Sequence, residues 1–514
     1  MSGPPMGRAW PKRGERLLAW ALVVAAAGAL LAWLAVSLVH IDDRERVGHV
    51  QGAWMALARY ANEGVLYPPL FDGEHYGGTR WMPLGIVAHA LAARLTGSEL
   101  VGGKVLALLA ALVLFTLAVA ALRRLGSPWP LAGALLAGVL ASEAGLFTTT
   151  TIGVDVLAAA VQVGSLVLFL GGADAAPRDQ GGGGGQRTRA LIAAGVLAGL
   201  GPLAKLTAGW AALAILCRLG ATGRWRDFGV FLAAASATTL VGVGAGLVAS
   251  GGRLWESIGR LAFAGDGGPS SLVRAPNQVV YNLVEYAPGI LAVLPFAVVA
   301  IGLAGRWREL SVVDWALAWA LVALIAVYTD VGTGLNQLID VLVLTTAVAA
   351  QLPARLAARM GEQHHPLGRY GLAVAALTAL AAGMIIALVP AARDAAEVAR
   401  HGHPLPTEPL VEVIGPGDTV LSEDPYVPVT LERRPVVLDP FMLRRLDEVD
   451  PAAVDPLVER IEQRDFDYVV LLEDLDETGW WEVFHFGPRV ADALRQAYEP
   501  SDARDGYLLY RPAH

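Results

Sequence analysis

Charge, lysine and cysteine are all scarce in this chain of 514 residues. Only 17% of its residues are charged, where a soluble domain carries about 25%, which excludes an ordinary cytosolic enzyme. A single cysteine, Cys217, excludes an intramolecular disulfide and any cysteine-based zinc site; it is expected to pack within a helix. Lysine occurs only as Lys12, Lys104 and Lys205. Arginine, alanine, glycine and proline enrichment follows nucleotide composition, so a single arginine carries little meaning. A lysine inside an apolar segment carries more.

What is abundant is apolar sequence, 55% of the chain. Since one membrane crossing needs roughly 20 apolar residues, this composition reads as a polytopic membrane protein. The net charge of -8 hides an asymmetry: from Ala392 onward there are 26 acidic residues against 12 arginines, so the rest of the chain is mildly basic. That distribution argues against nucleic acid as a partner, which wants basic stripes.

Arg8, Lys12, Arg13 and Arg16 precede an apolar run from about Leu17 to Val39. The run is longer than the roughly 7–15 residues of a signal-peptide core and leaves through Val39-His40-Ile41-Asp42, so it reads as a retained first helix. The positive-inside rule then places residues 1–16 in the cytoplasm and Asp42 outside. Further runs lie near 100–122, 129–148, 153–172, 191–203, 206–219, 229–250, 287–305, 311–329, 338–357 and 370–391, punctuated by arginines. One topology keeps every arginine cluster inside. It requires that segment 82–97 does not cross and that 191–219 crosses twice, breaking outside around Pro202–Lys205. The expected fold class is an α-helical polytopic membrane protein with about eleven spans over 17–391. Interfacial helices are expected in a first outside loop at 41–99, and a small extracytoplasmic α/β domain at 392–514.

Gly181–Gly185 reads as a flexible cytoplasmic linker, and the pair His364-His365 as an incidental feature of a cytoplasmic loop. Gly242-x-Gly244-x-Gly246 has no strand before it and reads as helix packing, not a dinucleotide fingerprint. In the tail, strands are expected at Thr419–Ser422, Pro435–Leu438, Asp467–Leu472 and Gly506–Tyr510. A helix from about Pro456 to Arg464 is expected to start with Asp455 as its N-cap.

Candidate chemistry gathers at the outer level. Asp42 and Asp43 leave the first helix directly, followed by Trp54, Tyr60, Tyr67 and the stretch from Asp72 to Leu84 with His75 and Arg80. A carboxylate at the interface beside aromatic platforms suits deprotonating a hydroxyl and holding a sugar. A solvated loop whose charges only repel the bilayer is the bland alternative. Asp155, Lys205, Asn336 and Asp340 sit at the starts or breaks of spans, and Lys104 near an outer helix end. Ionisable groups at membrane depth default to a functional hypothesis. Their structural alternatives are capping for Asp155, Asn336 and Asp340, and snorkelling for Lys104 and Lys205.

In order and topology the chain resembles the GT-C superfamily of glycosyltransferases, and is most similar to the family 39 type, which includes protein mannosyltransferases and lipid A aminoarabinose transferases. Asp42-Asp43 matches the family's acidic pair after the first helix, although Asp-Glu is usual there. Ala61 through Tyr67 matches its small-residue and aromatic stretch, and Met82-Pro83-Leu84 its Pro-Leu helix along the membrane. Asp155 matches the acid before a descending span, without the arginine that often precedes it. Gly199-Leu200 through Lys205-Leu206-Thr207 and Asn336 to Asp340 match two later motifs. Glu423-Asp424-Pro425, Asp439-Pro440-Phe441 and Phe466-Asp467 resemble the outer domain of some bacterial members.

The resemblance implies transfer of a sugar from a polyprenyl-phosphate donor to a glycan, lipid or protein acceptor on the outer face of a bacterial plasma membrane. Asp42 or Asp43 would be the general base. Lys205 would stabilise the departing phosphate, with Arg80 and Lys104 as secondary candidates. His75, Asp155, Asn336 and Asp340 would bind substrate or shape the site. A divalent metal on Asp42, Asp43 and His75 is compatible with this sequence but not required by it. The rival classes are a lipid-linked sugar flippase or transporter, which predicts a midplane site and internal repeats, and an inactive carrier-binding homologue. No convincing repeat is visible.

Overall fold

The computed structural model describes residues 13–174, 184–262, 269–330, 332–360, 386–402 and 408–514. After α1 (Arg13–Val39) the first loop carries α2 (His49–Asn62) and α3 (Pro83–Thr96). The bundle continues through α4 (Glu99–Arg124), α5 (Trp129–Leu140), α6 (Glu143–Thr150) and α7 (Asp155–Leu168), the last prolonged by a π-helical turn to Asp174. It goes on with α8 (Gly184–Ala204), α9 (Trp210–Ala221), α10 (Trp225–Ala249) and the short α11 (Arg253–Trp255). Then come α12 (Pro269–Tyr286), α13 (Pro288–Ala304), α14 (Val312–Val327), α15 (Ile339–Ala349), α16 (Leu352–Met360) and α17 over 386–401. The last expected span, 370–391, falls mostly outside the described residues, as do His364-His365, most of the Gly181–Gly185 run and the basic residues Arg8 and Lys12. α17 runs across the expected domain boundary at 391/392.

Among the described residues five helical stretches are long and apolar enough to cross a membrane: Ala19–Val39, Glu99–Arg124, Asp155–Asp174, Trp225–Ala249 and Leu335–Leu356. Two bent pairs, α5 with α6 at 73° and Ser271–Tyr286 with α13 at 117°, raise the number to seven. α9 and α14 are shorter apolar helices. The run at 129–148 is therefore not one straight span. Ser142 restarts the helix by accepting a hydrogen bond from the Gly145 amide at 3.1 Å, and a capped restart lets the chain change direction.

α3 is too short to cross on its own. Gly97, at φ 76°, ends it with a left-handed turn, and its outer face shows Val87, Leu91 and Leu95 at helical spacing. The bundle interior is rich in alanine and glycine, which lets backbones approach closely without relying on water exclusion. A Cβ on Gly242 would come 2.1 Å from Leu203 Cδ1 and one on Gly246 3.0 Å from Leu254, while Gly244 meets nothing, so the glycine run is a packing device. Cys217 accepts a hydrogen bond from Trp319 Nε1 at its Sγ, inside the bundle as expected.

The bundle has two distinct polar ends. At one, arginines neutralise acids where helices stop and start: Arg224 reaches Asp174 (3.3 Å) and Asp227 (2.8 Å), and Arg187 also meets Asp227. At the same end Arg355 meets Asp314, and Arg218 donates to the Arg308 carbonyl at 3.0 Å. Both outer termini of the α8–α9 pair return here, so the chain does turn back at the break around Lys205. Gln162 secures that break from within, donating to the Ala198 carbonyl and accepting from the Ala211 amide, each at 3.0 Å. It thereby satisfies backbone groups that a broken helix leaves open.

The opposite end carries the first loop and the C-terminal domain. That domain comprises α18 (Glu408–Val413), β1 (Val420–Ser422), α19 (Tyr426–Thr430), α20 (Pro440–Val449), α21 (Asp455–Glu462) and β2 (Tyr468–Leu471). It ends with α22 (Thr478–Val483), α23 (Pro488–Ala497), β3 (Tyr498–Arg504) and β4 (Tyr507–Pro512). The sheet order is β1-β2-β4-β3, with β1 and β2 parallel and the other pairs antiparallel.

Two expectations for this domain need correction. Pro435–Leu438 is not a strand of the sheet; Val437 makes an isolated parallel bridge with Tyr76 of the first loop. The Tyr76 amide donates to the Val436 carbonyl (2.7 Å) and the Leu438 amide to the Tyr76 carbonyl (2.9 Å). Asp455 is also not an N-cap, because Val454 holds that position and Asp455 pairs with Arg489 instead. Asp439 does cap α20, accepting from the Phe441 and Met442 amides.

Candidate functional site

Asp42 and Asp43 are adjacent but differently placed. Asp42 is exposed and Asp43 is buried. His40, at the end of the first helix, holds Asp43 Oδ2 through Nδ1 at 2.5 Å, and the Glu45 amide donates to Oδ1 at 2.8 Å. Lys104, in the first turns of α4, reaches the same carboxylate at 3.2 Å. Its ammonium also donates to the carbonyls of His40 (2.5 Å), Asp43 (2.7 Å) and Glu45 (3.1 Å). Burial works to raise the Asp43 carboxyl, but the His40 hydrogen bond, the Lys104 charge and the Glu45 amide outweigh it and hold it below the usual carboxylate range. Lys104 is 2% exposed, so it does not snorkel; it folds the acidic loop around itself.

The second cluster comes from four separate elements. Asp155 lies in the first turn of α7 without capping it. Its Oδ1 is 2.8 Å from Lys205 Nζ and its Oδ2 accepts from Asn336 Nδ2 at 2.7 Å. Lys205 stands in the break between α8 and α9, and feels Asp340, in the first turn of α15, as a second carboxylate. Tyr328 is the aromatic neighbour of that lysine; it accepts from Asn282 Nδ2 at 3.0 Å and donates to the Gly334 carbonyl at 3.2 Å. The structure therefore brings Asp155, Lys205, Asn336 and Asp340 together, and neither Asp155 nor Asp340 serves as a helix N-cap.

The two clusters are linked by the residue between them. Arg46, held at φ 59°, donates to Thr150 Oγ1 at 2.9 Å, and Thr151 Oγ1 donates back to the Arg46 carbonyl at 2.6 Å. These threonines end α6, and the short Ile152–Val154 link leads from them to Asp155. Neither Arg46 nor His40 has a role in the sequence reading. Their spacing around Asp43, three residues on either side, is the signal that was available.

His75 and Arg80 have other surroundings. His75 lies 3.4 Å from Asp72 in a turn that Asp72 itself organises by accepting two backbone amides. Arg80 lies over the Phe441 ring, 4.6 Å from its centroid, where the first loop meets α20. Among the described residues no three His, Cys, Asp or Glu side chains converge as metal ligands. Asp43 already has a histidine and an ammonium as partners, and a cation beside it would meet Lys104. This donor set does not fit a metal.

A third polar cluster, unforeseen from the sequence, lies in the C-terminal domain. Glu423 is fully buried; it shares a hydrogen bond with His485 Nδ1 (2.5 Å) and accepts from Trp480 Nε1 (2.7 Å) and the Leu472 amide (2.6 Å). The His49 ring of α2 meets the His485 ring edge-on, with centroids 4.1 Å apart. Burial pushes the Glu423 carboxyl up to about 7 and the His485 imidazole down to about 4, so the pair favours its uncharged form.

No protein-family model and no curated protein matches the sequence. Solved structures do match the fold. ArnT from Cupriavidus metallidurans in the apo state has a TM-score of 0.58 at 15% identity, covering 96% of this chain and 97% of that one. The same protein bound to undecaprenyl phosphate gives 0.55 at 14% identity over 96% and 97% of the two chains. The archaeal oligosaccharyltransferase AglB from Archaeoglobus fulgidus, in complex with an inhibitory peptide and a dolichol-phosphate, gives 0.52 at 14% identity over 98% and 75%. The chain shares the fold of ArnT and AglB, the GT-C fold: a bundle of apolar helices carrying a small C-terminal α/β domain.

Proposed function

We propose that the protein transfers a sugar from a polyprenyl-phosphate donor to a hydroxyl-bearing acceptor at the outer face of the plasma membrane. The observation that carries this reading is the meeting, at one end of the bundle, of the acidic loop with the Asp155–Lys205–Asn336–Asp340 cluster through Arg46 and Thr150–Thr151. The fold shared with structures that hold undecaprenyl phosphate and dolichol-phosphate supports it. The arginine clusters at the other end support an orientation with that end in the cytoplasm.

In this reading Asp42 is the general base. It is the carboxylate of the pair that an acceptor can reach, whereas Asp43 is buried with both oxygens taken and its proton affinity lowered. Asp42 takes the acceptor hydroxyl proton as the oxygen attacks the anomeric carbon, and the lipid phosphate leaves as an anion. Lys205 spends one of its three N–H donors on Asp155 and offers the others to that phosphate, an electrostatic contribution that grows where water is excluded. Asn336 orients Asp155, and Asp155 orients the ammonium. Lys104 and Asp43 hold the loop in shape.

The test is transfer by purified protein in lipid, offered a panel of labelled polyprenyl-phosphate sugars with membrane extract as acceptor. Label should move in wild type and not in Asp42→Asn. Donor binding without transfer in wild type would sink the enzyme reading and favour a carrier-binding protein or a flippase.

A further inference from the structure

Arg44 follows the acidic pair, yet it points away from both clusters and into the C-terminal domain. Its guanidinium lies 4.1 Å from the Tyr507 ring centroid and 5.5 Å from that of Tyr426. Nη2 is 3.7 Å from Asp424 Oδ2, and Nη1 donates to the Asp505 carbonyl at 3.3 Å. Asp424 is fully buried and is itself fixed: Tyr507 Oη donates to Oδ2 at 2.8 Å and the Tyr426 amide to Oδ1 at 3.0 Å. A cation between two aromatic rings with a buried carboxylate at its edge is a specific socket. Arginine fits it as a flat, stacking, permanently charged group, and lysine does not reproduce that shape.

The socket is built from two parts of the C-terminal domain that are distant in sequence: the Asp424–Tyr426 segment between β1 and α19, and the β3–β4 turn with the start of β4. It exists only when that domain is folded. Its other wall is α2, where Gly52 lies so close that a Cβ there would be 2.3 Å from the Tyr426 amide nitrogen and 2.6 Å from Asp424 Oδ1. The acidic loop is thus gripped from both sides. Lys104 and Arg46 tie it to the bundle, and Arg44 ties it to the outer domain.

We infer that Arg44 is a positioning residue for sugar transfer, through which the C-terminal domain sets the place of the Asp42–Asp43 backbone; this rests on the reading of Asp42 as the base. Arg44 touches neither donor nor acceptor in this account. Its loss should therefore slow turnover without weakening donor binding, because a base displaced by about 1 Å can cost two orders of magnitude in rate.

The experiment compares wild type, Arg44→Ala, Arg44→Lys and Tyr507→Phe in lipid nanodiscs by two readouts. In amide hydrogen exchange, peptides covering 41–48 should exchange at least tenfold faster in Arg44→Ala, with α7 and α8 unchanged and Arg44→Lys in between. Tyr507→Phe keeps the ring but not the hydroxyl that fixes Asp424, and should show a smaller effect at the same peptides. In transfer, Arg44→Ala should lose at least tenfold in kcat, while KM for the donor and binding of undecaprenyl phosphate stay within about twofold. Unchanged exchange at 41–48, or faster exchange throughout the chain, overturns the proposal; so does kcat falling no more than KM rises. Absence of transfer in wild type defeats the functional reading instead, and the exchange comparison alone then decides whether Arg44 anchors the loop.

Discussion

Lys205 Nζ stands 2.8 Å from Asp155 Oδ1, with the two side chains 12% and 11% exposed. One comes from the break between two helices and the other from the first turn of a third, so the ion pair joins segments that have no local reason to meet. Asp340 is a second carboxylate whose charge this ammonium feels. A polar cluster of this kind is held together by each member's dependence on the others.

Removing that ammonium should be costly. Lys205→Met leaves Asp155 and Asp340 without their cation and should destabilise the protein by about 3–5 kcal/mol, read as a drop in thermal midpoint in detergent. Adding Asp155→Asn should recover part of that stability because one of the two uncompensated charges is gone. Transfer should stay absent in both. Recovery of activity in the double variant would show that Lys205 serves only to neutralise Asp155.

The acidic pair should separate by readout. Asp42→Asn is expected to lose at least about a hundredfold in kcat, within the usual range for a general base, with an unchanged thermal midpoint. Asp43→Asn removes the anion that Lys104 and His40 hold. It should cost about 1–3 kcal/mol of stability as well as activity. The reverse pattern would make Asp43 the base.

For the Glu423–His485 pair the pH dependence follows from two opposed shifts. Glu423 has a raised folded value, so its contribution is full below about 4.5 and is lost as pH rises to about 7. His485 has a lowered one, so its contribution is lost as pH falls from about 6.5 to about 4. Between pH 5 and 6 the pair holds one proton folded and one unfolded, and the two slopes cancel. Wild type should therefore show little pH dependence from this pair. His485→Asn should uncover the glutamate's slope, losing about 2–3 kcal/mol between pH 5 and pH 7. Thermal unfolding at the two pH values checks this, and parallel curves for wild type and variant would contradict it.

Gly52 makes the closest approach of α2 to the C-terminal domain. Gly52→Ala forces α2 and α19 apart and should cost about 1–3 kcal/mol, as overpacking does. Because α2 follows the acidic loop, kcat should fall with it. Limited proteolysis at the first loop together with the transfer assay reads both effects; wild-type behaviour in each would mean that the interface is loose enough to absorb a methyl group.

Much of the site was legible because of what surrounds it. Asp155, Lys205, Asn336 and Asp340 stand out in sequence as polar residues where apolar segments begin or break, and such residues are few enough to list. Their mutual contacts were not legible, since nothing local ties residue 155 to residue 336. Glu423 stands out in sequence only through the Glu423-Asp424-Pro425 resemblance; it is one acid among 26 in the tail, and its burial against His485 and Trp480 was not legible. Pro435–Leu438 has the composition of a strand and is extended, but sequence specifies an extended segment without specifying its partner. Tyr76, in the first loop, supplies the partner. Asp455 looked like a cap for want of its competitor, Arg489.

By itself the sequence determined that this chain inhabits a membrane, where most of its helices lie, and which ionisable residues are too expensive to be there by chance. Those are local matters, settled by the cost of moving side chains and backbone out of water. Only the tertiary structure decided which of two adjacent aspartates is buried. It also decided that Lys104 binds a loop and not a headgroup, and that the C-terminal domain grips the acidic loop through Arg44. These depend on contacts between segments distant along the chain, whose geometry is set when the bundle and the C-terminal domain close on one another.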